Sequence, residues 1–152
     1  MATVDNLLKR NVPISNSESR CALCQMQLED ANHIFLSCIM SAGIWNELLR
    51  WLGKQSALHS NAIVHSSAFT NIGNKKDGQF LAGVWMCTVW CIWKGRNEVR
   101  FNHGKWAQDK MVAEIKSRLW SWKQAYNLRI PTEDFRAWFA AANLEESGAE
   151  RN

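Results

Sequence analysis

Four residues early in the chain have the types and spacing to bind a metal together. Cys21, Cys24, His33 and Cys38 follow the pattern C-x2-C-x8-H-x4-C within CALCQMQLEDANHIFLSC. A C-x2-C turn brings two thiolates to one point, and an H-x4-C arm returns two further ligands after a short loop. Three thiolates and an imidazole within tetrahedral reach suit Zn²⁺. A short, loop-rich segment cannot bury enough core by itself. Metal binding supplies the missing folding energy, on the order of 10–16 kcal/mol in small zinc-dependent fingers. Four protein ligands leave no open coordination position, so one structural zinc is expected and a catalytic one is not. A cysteine nucleophile with a histidine base would also need an oxyanion site, and three cysteines around one histidine fit metal ligation better. Cys87 and Cys91, four residues apart in an apolar stretch, read as small buried hydrophobes, with a further metal or redox pair as the alternative. His59 and His65 stand in a segment without ligand spacing.

The elements that must position this cluster are mainly helical. Residues 2–12 read as a short helix running into an extended connector, because Pro13 disfavours helix at the residue before it. Asn16–Ser19 is loop material, and a short reversal is expected between Cys24 and His33. Ile44, Leu48, Trp51 and Leu52 then recur on one helix face, with Gly53 where a helix-ending glycine belongs. Residues 54–77 have scattered apolar positions and no clean period. A second long helix is expected from about Gln79 to Asn102, with Gly104 as a stop. A third runs from about Gln108 to Tyr126 on Val112, Ile115, Leu119, Trp122 and Tyr126. Thr132 signals a last short helix carrying Phe135, Trp138 and Phe139. The expected fold is therefore mainly α, with a small CCHC zinc-binding hairpin near the N-terminus and three to four helices after it. The expected organisation is a zinc module with its following helix over 1–52, a linker over 53–78, a helical region over 79–142 and a flexible tail over 143–152.

Composition sets the outer limits. The 152 residues are 47% hydrophobic, include nine Trp and carry a net charge of +4. That is ample for a core and argues against disorder. The charge is uneven. Between Lys94 and Arg129 nine Lys or Arg face three acids, whereas Pro131–Asn152 is net −3. The basic segment points to an anionic partner, with a solvated helix face as the alternative. The beginning MATVDNLLKRN contains an acid and no apolar core, so it is not read as a signal peptide. Reduced thiols and an intracellular setting, nuclear or cytoplasmic, are expected in place of disulfides. The longest apolar run, Phe80–Trp93, falls short of the roughly 20 residues a bilayer span needs, so it reads as a buried helix and no membrane partner is expected.

Several pieces, in order along the chain, resemble one known family. ATVDNLLKRN resembles the lead-in PTxDNLxRR, and the Cys21–Cys38 segment resembles its C-x2-C…E-x2-xHxFxxC core, with Glu29 at the acid. SAGIWNELLRWLG resembles its WLG helix, and VWMCTVWCIWKGRNEVRFN its IWxxRNxxxF helix. The family is the zinc-binding domain C-terminal to the reverse transcriptase of plant non-LTR (LINE-type) retrotransposons. The resemblance implies that Cys21, Cys24, His33 and Cys38 are zinc ligands. It implies packing roles for Trp45, Trp51, Trp93 and Phe101, and it marks Arg96 and Asn97 as the family's RN pair. No polymerase, endonuclease or RNase H motif accompanies these pieces, so the chain looks like a detached or truncated copy and not an enzyme.

Two functions follow as expectations. The first is binding of RNA or single-stranded DNA. Its residues would be Lys94, Arg96, Arg100 and His103 at the end of the second long helix, with Lys116, Trp120 and Lys123 offering a stacking ring between two cations. Glu29 and Asp30 make the zinc loop itself acidic, unlike a strongly basic knuckle. The second is docking on a reverse transcriptase or another protein through exposed apolar helix surface.

Overall fold

The computed structural model describes residues 3–16, 18–55, 59–72 and 77–126. The short helix expected after Thr132 and the tail expected over 143–152 lie outside the described residues. The described chain is mainly helical. Its elements are α1 (Val4–Lys9), a single π turn (His33–Ser37), α2 (Ile39–Trp51), α3 (Ala62–Thr70), α4 (Gly78–Phe101) and α5 (Gln108–Tyr126). Extended pairing among the described residues amounts to one antiparallel bridge, Arg20 with Leu28, which closes the zinc hairpin.

The apolar periods build the core. Ile44 and Leu48 of α2, with Leu52 just after it, are buried against Leu81, Val84 and Ile92 of α4 and Val112, Ile115 and Leu119 of α5. At roughly 1.5–3 kcal/mol per fully buried large aliphatic side chain, these faces supply most of the drive for helix association. Gly53 ends α2 at φ +63, a conformation that costs glycine least, and Lys54 N–H closes onto the Leu49 carbonyl. The end of α4 differs from its expectation. His103, and not Gly104, holds the left-handed position at φ 54, while the Gly104 N–H returns to the Glu98 carbonyl.

A helix stands where the sequence suggests a linker. Asn61 caps α3, its side-chain oxygen accepting from the Ile63 and Val64 N–H groups at 2.9 and 3.1 Å. His65 and Phe69, one turn apart, are both fully buried beside Trp45. The helix escapes pattern reading because Ile63 and Val64 face outward while a histidine faces the core.

His65 is neutral in this setting. Trp85 Nε1–H donates to its Nδ1 at 3.0 Å, which leaves the proton on Nε2. Burial, helped by nearby His59, pulls its pKa down from the usual histidine value to about 4. A depressed histidine binds fewer protons in the folded state between about pH 4 and 6.5. Its contribution to stability is therefore whole above pH 6.5 and lost as the pH falls toward 4. Urea unfolding over that range should show the wild type losing about 3 kcal/mol more than a His65→Phe variant. Zinc-ligand protonation acts on both and cancels. Equal pH slopes for the two proteins would contradict this assignment.

Candidate metal centre

Each ligand reaches the site by a local rule. The Arg20–Leu28 bridge pins the hairpin, and the Cys21 N–H donates to the Gln27 carbonyl at 2.7 Å. The Gln25 N–H returns to the Cys21 carbonyl, with Gln25 itself at φ 59, so the C-x2-C turn curls both sulfurs to one side. Asp30 then caps the next turn, its carboxylate accepting from the His33 N–H at 2.9 Å. The chain between His33 and Cys38 is a π turn, closed by the Cys38 N–H onto the His33 carbonyl at 2.7 Å. That bond joins the backbones of two ligands directly. An H-x4-C spacing is the one that a π turn closes this way. Cys38 also begins α2.

The four ligand atoms lie within 4.8 Å of one another. Cys21 Sγ is 3.9 Å from Cys38 Sγ, and Cys24 Sγ is 3.3 Å from His33 Nε2. A tetrahedral ion with metal–sulfur bonds of ~2.3 Å and a metal–nitrogen bond of ~2.0 Å needs edges of roughly 3.5–3.8 Å. The donor set and its separations therefore fit Zn²⁺. Cys21, His33 and Cys38 are buried and Cys24 is half-buried, so the site is closed to bulk water on most sides. His33 Nδ1 lies 3.2 Å from Ser37 Oγ, which can take the Nδ1 proton and leave Nε2 free for the metal. The thiol of Cys21 hydrogen-bonds to Cys38 and holds the Cys38 pKa below the usual thiol value. The N–H groups of Met40 and Ser41, in the first turn of α2, push the same way. That hydrogen bond and burial together push Cys21 up. The protein thus eases loss of the proton from one thiol at the helix start, and a metal would displace the ligand protons.

Bound zinc would supply a cross-link between the hairpin and the start of α2. The chain's own residues do the rest: Asp30 and the π turn set the His33–Cys38 arm, and the bridge sets the Cys21–Cys24 arm. Cys87 and Cys91 do not join the cluster. Both are 2% exposed within α4, and the hydrogen bond to Cys91, with burial, keeps the Cys87 thiol protonated.

The seven residues nominated for nucleic acid lie in unlike settings. Arg96 is 1% exposed and forms an ion pair with the fully buried Glu29. Arg100 pairs with the same carboxylate at 3.2 Å and donates to the carbonyls of Glu18 and Arg20. Lys116 is buried, 5.3 Å from the Trp51 ring centroid, and burial lowers its pKa. Trp120 is partly buried against the core. Lys94 is half-exposed and pairs with Glu114 at 3.2 Å. His103 is exposed at the end of α4. The Lys123 side chain lies outside the described residues. Arg96, Arg100 and His103 share a helix face by spacing, but the first two are turned to the zinc hairpin and only His103 is open. Of the expected packing tryptophans, Trp45 is fully buried, and Trp51 and Trp93 lean on the core. Phe101 departs from its packing role: it is 64% exposed, its ring 5.5 Å from the Arg96 guanidinium.

Sequence reasoning gave no role to Glu29 or Ser37. Glu29 stands at the acid of the resembled core motif yet reads locally as a loop acid, and Ser37 carries no signal beyond being four residues after His33, one helical turn on.

The geometry defines a mainly helical protein with one closed Cys₃His zinc centre. Residues 1–45 match the family model described as zinc-binding in reverse transcriptase, which supports a domain of that kind over the hairpin and the first half of α2. No curated protein and no solved structure matches the chain significantly.

Ser37→Ala should lower zinc affinity about tenfold without changing the one-to-one stoichiometry, as loss of a histidine's outer partner does at other zinc sites. Chelator competition measures this, and wild-type affinity would show that Ser37 does not orient His33. His33→Ala should lose the metal altogether.

Proposed function

We propose that the chain is a non-catalytic zinc-binding domain that docks on a reverse-transcriptase polypeptide through the outer face of α4 and α5. The observation that carries this reading is an exposed apolar strip on these two helices. Met86 and Trp90 on α4 are 61% and 53% exposed, and Trp122 on α5 is 37% exposed. The Trp122 ring lies over Gly83, so close that a Cβ there would sit 3.7 Å from it. Gly83, Met86 and Trp90 recur at i, i+3 and i+7, so the three large side chains form one strip. Exposed aromatic and Met side chains of this kind mark protein contact surfaces. The partner is drawn from the match of residues 1–45 to a zinc-binding domain of reverse transcriptase. A four-ligand site has no open position for chemistry, which supports a structural role for the metal. The ordered WLG and IWKGRN pieces support descent from a plant LINE-type element.

Nucleic-acid binding is the competing reading, and the setting of its residues favours docking over it. Arg96, Arg100 and Lys116 are engaged inside the protein, and Lys94 has an acidic neighbour.

The test is binding of the purified zinc-loaded chain to a LINE-type reverse-transcriptase polypeptide and, separately, to single-stranded RNA, over a salt series. Docking predicts polypeptide binding that changes little with salt and weakens at least tenfold in Trp90→Asp. RNA binding that falls steeply with salt and ignores Trp90→Asp, with no polypeptide binding, would replace this reading by the nucleic-acid one.

A further inference from the structure

The carboxylate of Glu29 is fully buried and has an unusual set of partners. Its oxygens accept from the Val4 N–H and the Ala22 N–H, each at 3.3 Å, and from Arg96 and Arg100 of α4. Ala22 is the residue after Cys21, inside the C-x2-C turn. Arg100 also grips the Glu18 and Arg20 carbonyls, at 3.0–3.1 Å, on the other side of Cys21. Residues from α4, far along the chain, therefore hold the ligand turn from both sides. Arg96 is itself held flat: its guanidinium lies 5.0 Å from the Trp93 ring centroid and donates to Asn97 Oδ1 at 2.8 Å. Arg–Asn neighbours in sequence are thus one unit, with Asn97 fixing the fork that meets Glu29.

Charge gives the arrangement a purpose. When zinc is bound, three thiolates outweigh the ion's two positive charges by one. Glu29 adds a second negative charge in the same buried region. Such a region must be neutralised, because an uncompensated buried charge is strongly destabilising. Arg96 and Arg100 supply the two positive charges, and both are more than four-fifths buried.

We infer that Arg96 and Arg100 are positioning residues of the zinc site, which with Glu29 hold the Cys21–Cys24 turn and balance its charge. The inference rests on the metal centre and is independent of the docking surface. A helix outside the matched residues thereby sets how tightly the hairpin holds zinc.

The test uses the full chain. Zinc affinity is read by competition with a chromophoric chelator, ligand geometry by the visible spectrum of the Co²⁺-substituted protein, and intrinsic stability by urea unfolding in excess EDTA. Arg96→Met and Arg100→Met should each weaken zinc binding at least tenfold and alter the cobalt band. The double variant Glu29→Gln/Arg96→Met should recover most of the affinity lost in Arg96→Met, because removing both charges restores the balance. Arg96→Lys, which keeps the charge and loses the fork, should fall between. Zinc affinity and cobalt spectrum within twofold of wild type in Arg96→Met and Arg100→Met, whatever their stability in EDTA, would overturn the inference. So would a double variant no better than Arg96→Met. If Arg96→Met does not fold, the more exposed Arg100→Met decides the matter alone.

Discussion

A buried carboxylate joins the two parts of this protein. The zinc hairpin is too small to fold against itself, and its Ile34, Phe35 and Leu36 are buried in the core the helices build. Glu29 sits between them, accepting from the N-terminal segment, from the ligand turn and from two arginines of α4. Its directional bonds, together with the packing of Ile34, Phe35 and Leu36, fix one orientation of the hairpin on the helices. A buried ion pair of this kind adds little net stability over an apolar contact, but losing one partner costs about 3–5 kcal/mol. Its role is to specify where the hairpin goes.

The metal and the ion pair divide the work. The metal ties Cys21 and Cys24 to His33 and Cys38, which fixes the inside of the hairpin. The ion pair ties the hairpin to α4. The π turn lies at the junction of the two, since it carries His33, presents Ser37 to the imidazole, and hands the chain to α2 at Cys38. Inside α2, Trp45 completes the link: its indole N–H donates to the Phe35 carbonyl of the π turn at 2.6 Å, and its ring packs on His65 and Phe69 of α3.

Much of this was legible in the sequence, and the remainder was hidden for physical reasons. Ligand spacing is a local property, so Cys21, Cys24, His33 and Cys38 could be read together. Helical periods were readable in α2, α4 and α5 because their core faces are aliphatic. α3 was not, because its buried face is His65 and Phe69 and its aliphatic residues point to solvent. The cations of α4 could be placed on one face, but a sequence does not say what that face meets. Glu29 looks like a surface acid until Arg96 and Arg100, 67 and 71 residues away, are seen to enclose it. The same distance hides the meaning of the Arg96–Asn97 pair. Lys116 is a similar case, a cation whose stem is buried and whose charge lies near Trp51.

The hairpin and the arrangement around Glu29 depend on one closed Cys₃His zinc centre. X-ray absorption at the zinc edge of the purified, reduced full chain tests it most directly. The account predicts one zinc per chain with three sulfur ligands at about 2.3 Å and one nitrogen ligand at about 2.0–2.1 Å. A folded protein without zinc, or a zinc shell containing water oxygen and fewer than three sulfurs, would contradict it.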